Sequence, residues 1–174
     1  MAVALAAVTL VRPTGAGRAA AGRHRPAHQR WQEIRKPAGD ATFRRLQGSE
    51  LRLDELAGKV VVLDFWTTWC EPCRQEVPEL AAFDDWARSR GDVALVTVNE
   101  DEDAAALARF LDRHRPRFTI VLPGNTGALE ITGYPTKLLV GRDGSLRLRK
   151  LGGPVAFEEL RDRAEALLRV PAPH

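Results

Sequence analysis

The sequence predicts an α/β domain with a mixed central sheet flanked by helices on both faces and a β-hairpin added ahead of the first core strand. Three observations predict it. Residues 59–66 and Val93–Val98 are apolar runs, the first broken within by Asp64, as expected of strands covered on both faces. Between them Cys73, Val77, Leu80, Phe83 and Ala87 recur at spacings of three and four, which makes one buried helical stripe. Near the end, Arg142-Asp143-Gly144 leads into the strict alternation Leu146-Arg147-Leu148-Arg149, the mark of a closing hairpin whose last strand is solvated on one face. Helices alternating with buried strands, then a hairpin, call for such a sheet.

The elements follow in order. Phe43 to Leu46, the turn Gln47-Gly48-Ser49 and Glu50 to Leu53 form the first hairpin, followed by one helical turn at Asp54 to Ala57 with Gly58 as its stop. After the strand at 59–66 a helix runs from Cys70 to about Ser89, and Pro78 should kink it near its second turn. Asp101-Glu102-Asp103 places negative charge where the next helix, carrying Leu107, Phe110, Leu111 and His114, is electropositive; dipole compensation is expected over a cation site. Phe118 to Leu122 and Thr136 to Val140 read as strands, with a short helix at Thr126 to Thr132 between them. A last helix buries Phe157, Leu160, Ala164, Leu167 and Leu168 and ends before Pro171.

The 174 residues are expected to divide into a basic tail at 1–40, one domain at 41–170 and a short tail at 171–174. The first segment is rich in Ala, Arg, Gly and Pro with little periodicity, a composition that does not order itself. Ala2 to Val11 is apolar apart from Thr9, the length of a signal-peptide core and too short to span a bilayer, yet its positive charges follow it. A start assigned too far downstream or an alanine-rich leader would each explain that order, and the segment could also associate with a membrane. The expected location is the cell envelope or a periplasm-like compartment, with the cytoplasm as the alternative. The net charge of +3 is local: Arg12, Arg18, Arg23, Arg25 and Arg30 precede the first acid, Glu33, and setting them aside leaves 21 basic against 23 acidic residues. No nucleic-acid partner is expected.

Both cysteines of the chain lie in Trp69-Cys70-Glu71-Pro72-Cys73. Two cysteines three apart close no useful structural loop, so the pair is for redox chemistry or for metal. Zinc would need two further ligands, and His24-x-x-x-His28 lies on the wrong side of the pair, so redox is expected and no metal. Cys70 at a helix start faces unpaired N–H groups and the positive end of the dipole, which favours its thiolate. Cys73, one turn deeper, can resolve a mixed disulfide formed by Cys70. Pro72 is tolerated in the first turn, which has no internal partner for an N–H. Glu71 either raises the Cys70 pKa by its charge or is an exposed spacer.

The stretch Phe65-Trp66-Thr67-Thr68-Trp69-Cys70-Glu71-Pro72-Cys73-Arg74-Gln75-Glu76-Val77-Pro78-Glu79-Leu80 resembles the active-site segment of the thioredoxin superfamily, most closely its TlpA/ResA-type thiol:disulfide oxidoreductases. The resemblance extends over residues 41–170 and implies a thioredoxin-like fold and an enzyme that exchanges electrons with cysteines of substrate proteins, more as a reductant than as an oxidant. It further implies an upstream thiol donor, no cofactor beyond the Cys70/Cys73 disulfide, and a role in cytochrome c maturation or general envelope thiol reduction. Gly133-Tyr134-Pro135-Thr136 corresponds to the family's cis-proline loop, where Tyr134 would offer its backbone to an extended substrate. Two acids could move protons. Asp64, in an otherwise apolar strand, matches the buried acid of thioredoxins, and burial beneath Cys73 should raise its pKa; Glu76 matches an acid of the ResA-like branch, or else is a solvated helix glutamate. Trp69 is expected to shield the disulfide, and Trp66 and Trp86 to pack.

Two other functions fit parts of the chain. Thr67-Thr68-Trp69-Cys70 contains the Thr-x-x-Cys of peroxiredoxin-like thiol peroxidases, although Leu63 stands where those enzymes carry proline. A redox-inert or copper-binding thioredoxin-fold module would use the cysteines as soft ligands, but copper-delivery relatives separate them by three residues and add a histidine.

Overall fold

The computed structural model describes residues 29–171. Eight strands form one sheet in the order β1-β8-β7-β4-β5-β6-β2-β3, where β1 is Gln32–Pro37, β2 Thr42–Arg45, β3 Glu50–Arg52, β4 Val60–Trp66, β5 Val93–Asn99, β6 Ile120–Pro123, β7 Thr136–Val140 and β8 Ser145–Leu151. The centre, β4-β5-β6, is parallel, and β7, β8, β1, β2 and β3 each pair antiparallel. The helices are α1 (Glu71–Gln75), α2 (Val77–Arg90), α3 (Ala104–His114) and α4 (Phe157–Leu168).

The parallel crossovers β4-α2-β5 and β5-α3-β6 step the same way across the sheet, so connections of one hand place both helices on one face. Leu80, Phe83, Leu107, Phe110, Leu160 and Ala164 accordingly share one core with Val62, Leu95 and Leu139. The opposite face, with Val61, Leu63, Phe65, Val96 and Leu138, is closed by Phe43 and Leu51 of the hairpin and by 3-10 turns at Leu53–Leu56 and Gly127–Leu129. Helical cover on that face is thus reduced to single turns, and the helix expected at Thr126 to Thr132 is one of them.

The chain orders earlier than its composition suggests. Gln32–Pro37 lies within the segment assigned to the tail, yet it pairs with β8 at the sheet edge. Ladder hydrogen bonds hold it; its one branched apolar residue, Ile34, is only half-buried, so no periodicity marks it. Trp31 ties its start to α4, donating from Nε1 to Glu159 at 2.7 Å beneath the guanidinium of Arg163. The domain boundary therefore moves from 41 to about residue 31, while residues 1–28, with the apolar leader and His24 and His28, and residues 172–174 lie outside the described part. Among the described residues no helix is long and apolar enough to cross a membrane.

The helix expected from Cys70 to Ser89 is two helices. Pro78 has no N–H for the Arg74 carbonyl and its ring would crowd that carbonyl, so the chain breaks at Glu76 (φ −92°, ψ −2°) and restarts. α2 ends at Gly91, whose φ of +79° a side chain would strain. β8 also departs from simple alternation. Its register against β7 skips Arg147, so Leu146 joins one core and Leu148 packs against the other, and both arginines are half-buried instead of lying on a solvated face.

Candidate active site

Cys70 and Cys73 form a disulfide where β4 delivers the chain into α1. Cys70 is the N-cap of α1 and its Sγ accepts the Cys73 N–H at 3.3 Å, a hydrogen bond equally suited to a thiolate. Pro72 occupies the first turn without loss of a bond. Glu71 is exposed and paired with Arg74, and Gln75 donates to it at 3.1 Å, so much of its charge is compensated before it reaches Cys70. The Arg74 guanidinium also donates to the Thr68 carbonyl at 3.0 Å.

Two loops meet at this disulfide, and the end of β5 holds both. Asp101 accepts from the Thr68 N–H at 2.9 Å and its hydroxyl at 3.0 Å, and is itself held by the Asn99 amide at 2.7 Å. Dipole compensation was expected of the whole acidic trio, but only Asp103 caps α3, accepting from the Ala105 N–H at 2.8 Å; Asp101 clamps the loop that leads into Cys70. Asp101→Ala is expected to lose about 1–3 kcal/mol, measurable by urea unfolding, because it leaves the Thr68 N–H and the Asn99 amide without this acceptor. The second loop carries a cis bond between Tyr134 and Pro135. Tyr134 donates its hydroxyl to Glu100 at 2.5 Å; burial and this bond raise its pKa, so it stays protonated. Trp69, 68% exposed, stands edge-on to the Tyr134 ring at 5.8 Å. Trp66 packs on Phe110 and Trp86 on Phe83. His114 is exposed and lies against Phe110.

Behind the disulfide lies a buried group of charges. Asp64 of β4 and Lys137 of β7 are register partners, and the ammonium donates to Asp64 Oδ1 at 2.8 Å and to Glu76 Oε1 at 2.5 Å. Glu76 Oε2 accepts the Val155 N–H at 3.2 Å. All three side chains are at most 1% exposed, so Glu76 is no solvated helix residue. Burial pushes the Glu76 carboxyl up to about 7, opposed by Lys137 and reinforced by the Asp64 charge. Burial alone would discharge Lys137, but the two carboxylates outweigh it and hold its pKa above the ordinary lysine value. Asp64 is buried as expected, with Oδ1 paired to Lys137 and Oδ2 without a protein partner among the described residues. A cavity of about 10 Å³, room for one water at most, is lined by Asp64, Cys73, Trp66 and Phe110 among others.

Sequence reading does not find Lys137, Asp101 or Glu100 in these roles. Lys137 did leave a signal, a single cation in the apolar run Thr136–Val140, just as Asp64 is the single anion of its own run.

A dithiol/disulfide pair at a helix cap, facing a cis-proline loop and backed by buried acids, on a mixed sheet of this order, defines a thioredoxin-fold thiol:disulfide exchange protein. A family model described as Redoxin matches residues 34–159, and the chain belongs to that family, as a ResA-like thiol:disulfide oxidoreductase. It is 29% identical over 131 residues to the thiol-disulfide oxidoreductase ResA of Bacillus cereus, covering 74% of this chain and 75% of that protein. With the sporulation thiol-disulfide oxidoreductase A of Bacillus subtilis it shares 30% identity over 141 residues, 76% of this chain and 84% of the relative. Among solved structures, a secreted disulfide oxidoreductase of Mycobacterium tuberculosis, described as homologous to DsbE of E. coli, superposes with a TM-score of 0.62 at 25% identity, covering 74% of this chain and 96% of that one.

Proposed function

We propose that the protein is a reductant, drawing electrons from an upstream thiol donor and passing them to disulfides of other proteins on the extracytoplasmic side of a membrane. The juxtaposition of the Cys70–Cys73 disulfide with the Tyr134-Pro135 cis bond and exposed Trp69 carries this reading, because it offers an extended peptide a docking edge beside the sulfurs. In the reduced form the Cys70 thiolate attacks a substrate disulfide, forms a mixed disulfide and releases the first substrate sulfur as a thiolate. Cys73 then gives up its proton and attacks Cys70 Sγ. The bond from Cys70 to substrate breaks, its electron pair leaves with the second substrate sulfur, and the Cys70–Cys73 disulfide is regenerated. Two electrons have moved, and the two cysteines suffice as the redox group. The resemblance to ResA-type proteins supports apocytochrome cysteines as one substrate, and the secreted mycobacterial relative supports the location.

Reduction of insulin with dithiothreitol as donor tests the activity, and equilibration against glutathione tests the direction. The potential is expected nearer to about −250 mV than to the roughly −120 mV of strong oxidants, because a single backbone N–H, that of Cys73, is what the helix cap supplies to the Cys70 sulfur, a modest stabilisation of its thiolate. A strongly oxidising value would make the protein a disulfide donor.

A further inference from the structure

The active-site loop is flanked by two open grooves of opposite charge. One, of about 600 Å³, is lined by Glu100, Asp101, Glu102 and Asp103 together with Trp69 and Tyr134, with no cation among its lining residues. The other, of about 450 Å³, is lined by Arg74, Arg109, Arg113 and His114 over Phe110, with no acid among them. Thr68 and Ala106 line both, so the grooves meet where the loop into Cys70 faces the first turn of α3. The basic groove abuts the reactive turn: Thr68 is two residues before Cys70, and the Arg74 N–H donates to the Cys70 carbonyl at 3.2 Å.

The helix dipole accounts for only part of this basic groove. Arg113 and His114 fall in the last turn of α3, where cations are favoured, but Arg109 stands one turn earlier and Arg74 comes from α1. Arg74 is paired with Glu71, and Arg109 reaches the exposed Asp103 at 3.3 Å. Arg113 makes no hydrogen bond or ion pair with any described residue. The floor is apolar, since Phe110 is buried against the His114 ring. An open, cationic trough with an apolar floor fits carboxylate side chains of a polypeptide.

We propose that this groove is a charge-selecting subsite for substrate polypeptides, receiving aspartate or glutamate side chains that flank the cysteine under attack. This rests on the exchange reading of the Cys70–Cys73 pair. Thr68 lies at most about 7 Å from Cys70 between Cα atoms, and Ala106 to Arg113 spans about 10 Å of α3. At about 3.3 Å per extended residue, the groove receives side chains about two to five residues from the substrate cysteine. One exposed ion pair changes an equilibrium only about two- to fivefold. A substrate docked by its sulfur at Cys70 presents its acids at high effective concentration, so several such pairs act together. The acidic groove repels the same side chains, which fixes the side of the loop on which an acidic flank lies.

The test is the reduction of disulfide peptides that differ only in a Glu, Gln or Lys pair placed before or after the reactive cysteine. Wild type, Arg113→Ala, Arg113→Lys and Arg109→Ala/Arg113→Ala are compared in their reduced forms. In about 0.01 M salt, one placement of the Glu pair is expected to raise kcat/KM about tenfold over the Gln peptide, and in about 1 M salt less than about twofold. Arg113→Ala should cut that preference about threefold, the double variant should abolish it, and Arg113→Lys should keep it. The Gln peptide should change less than about twofold throughout, because neither arginine is bonded to the active-site loop. No Glu preference at either placement, or one that survives the double variant, overturns the proposal. Self-association in sedimentation that the double variant abolishes, without a peptide preference, would give the groove to the acidic groove of a second copy and overturn it as well. If no peptide is reduced, the exchange reading fails by itself, and the groove is read from the oxidised protein by NMR titration with the Glu peptides carrying serine for cysteine. Saturable shifts at the Thr68, Arg109 and Arg113 amides that vanish in the double variant support the subsite, and their absence overturns it.

Discussion

Cys70→Ser is expected to bring insulin reduction down to the background of the assay, while Cys73→Ser should accumulate a covalent mixed disulfide with its substrate. The difference arises from place in the fold. Cys70 caps α1 beside the exposed Trp69 and the cis-proline loop, and its sulfur already accepts a backbone N–H. Cys73 is one turn deeper, against the cavity that Asp64 lines. A substrate sulfur approaching over the Trp69 and Tyr134 edge meets Cys70 first, and without Cys73 nothing releases it. Non-reducing electrophoresis and mass spectrometry of the trapped species provide the measurement. A species trapped by Cys70→Ser through Cys73, and none by Cys73→Ser, would exchange the two roles.

The second large effect is on stability against pH. The Glu76 carboxyl lies at about 7 in the fold against an ordinary 4.5. Between those values the folded state binds more protons than the unfolded chain, so stability falls as pH rises from about 4.5 to about 7 and levels off above it. The shift corresponds to roughly 3 kcal/mol at most across the window. Glu76→Gln should flatten this slope in urea unfolding measured at several pH values. A wild-type stability that rises through the window would show that Glu76 is ionised throughout it.

What was legible in the chain by itself is what local spacing and polarity encode. The Cys-x-x-Cys after an apolar run, the buried strands at 60–66 and 93–98 and the stripe ahead of Gly91 each depend on neighbours within a few residues, and each stands close to where pattern alone places it, whereas the Tyr134-Pro135 cis bond was expected from the family resemblance. The break at Glu76 was half legible. Pro78 announces a disruption, but whether the freed residue turns outward or into the core depends on what waits there.

Tertiary structure decided the rest, because charge and edge pairing are matched between segments far apart in sequence. Asp64 and Lys137 lie 73 positions apart and meet only through the antiparallel register of β4 with β7. Glu76 joins them across 61 positions. Asp101 reads locally as a helix-capping acid and is instead bound to Thr68, 33 positions away. Gln32–Pro37 becomes a strand because β8 presents an open edge to it, since ladder hydrogen bonds need a partner strand and no apolar pattern of their own. Burying an aspartate without a cation would be costly, so an acid in an apolar strand implies a partner; which residue fills that place is settled only when the sheet closes.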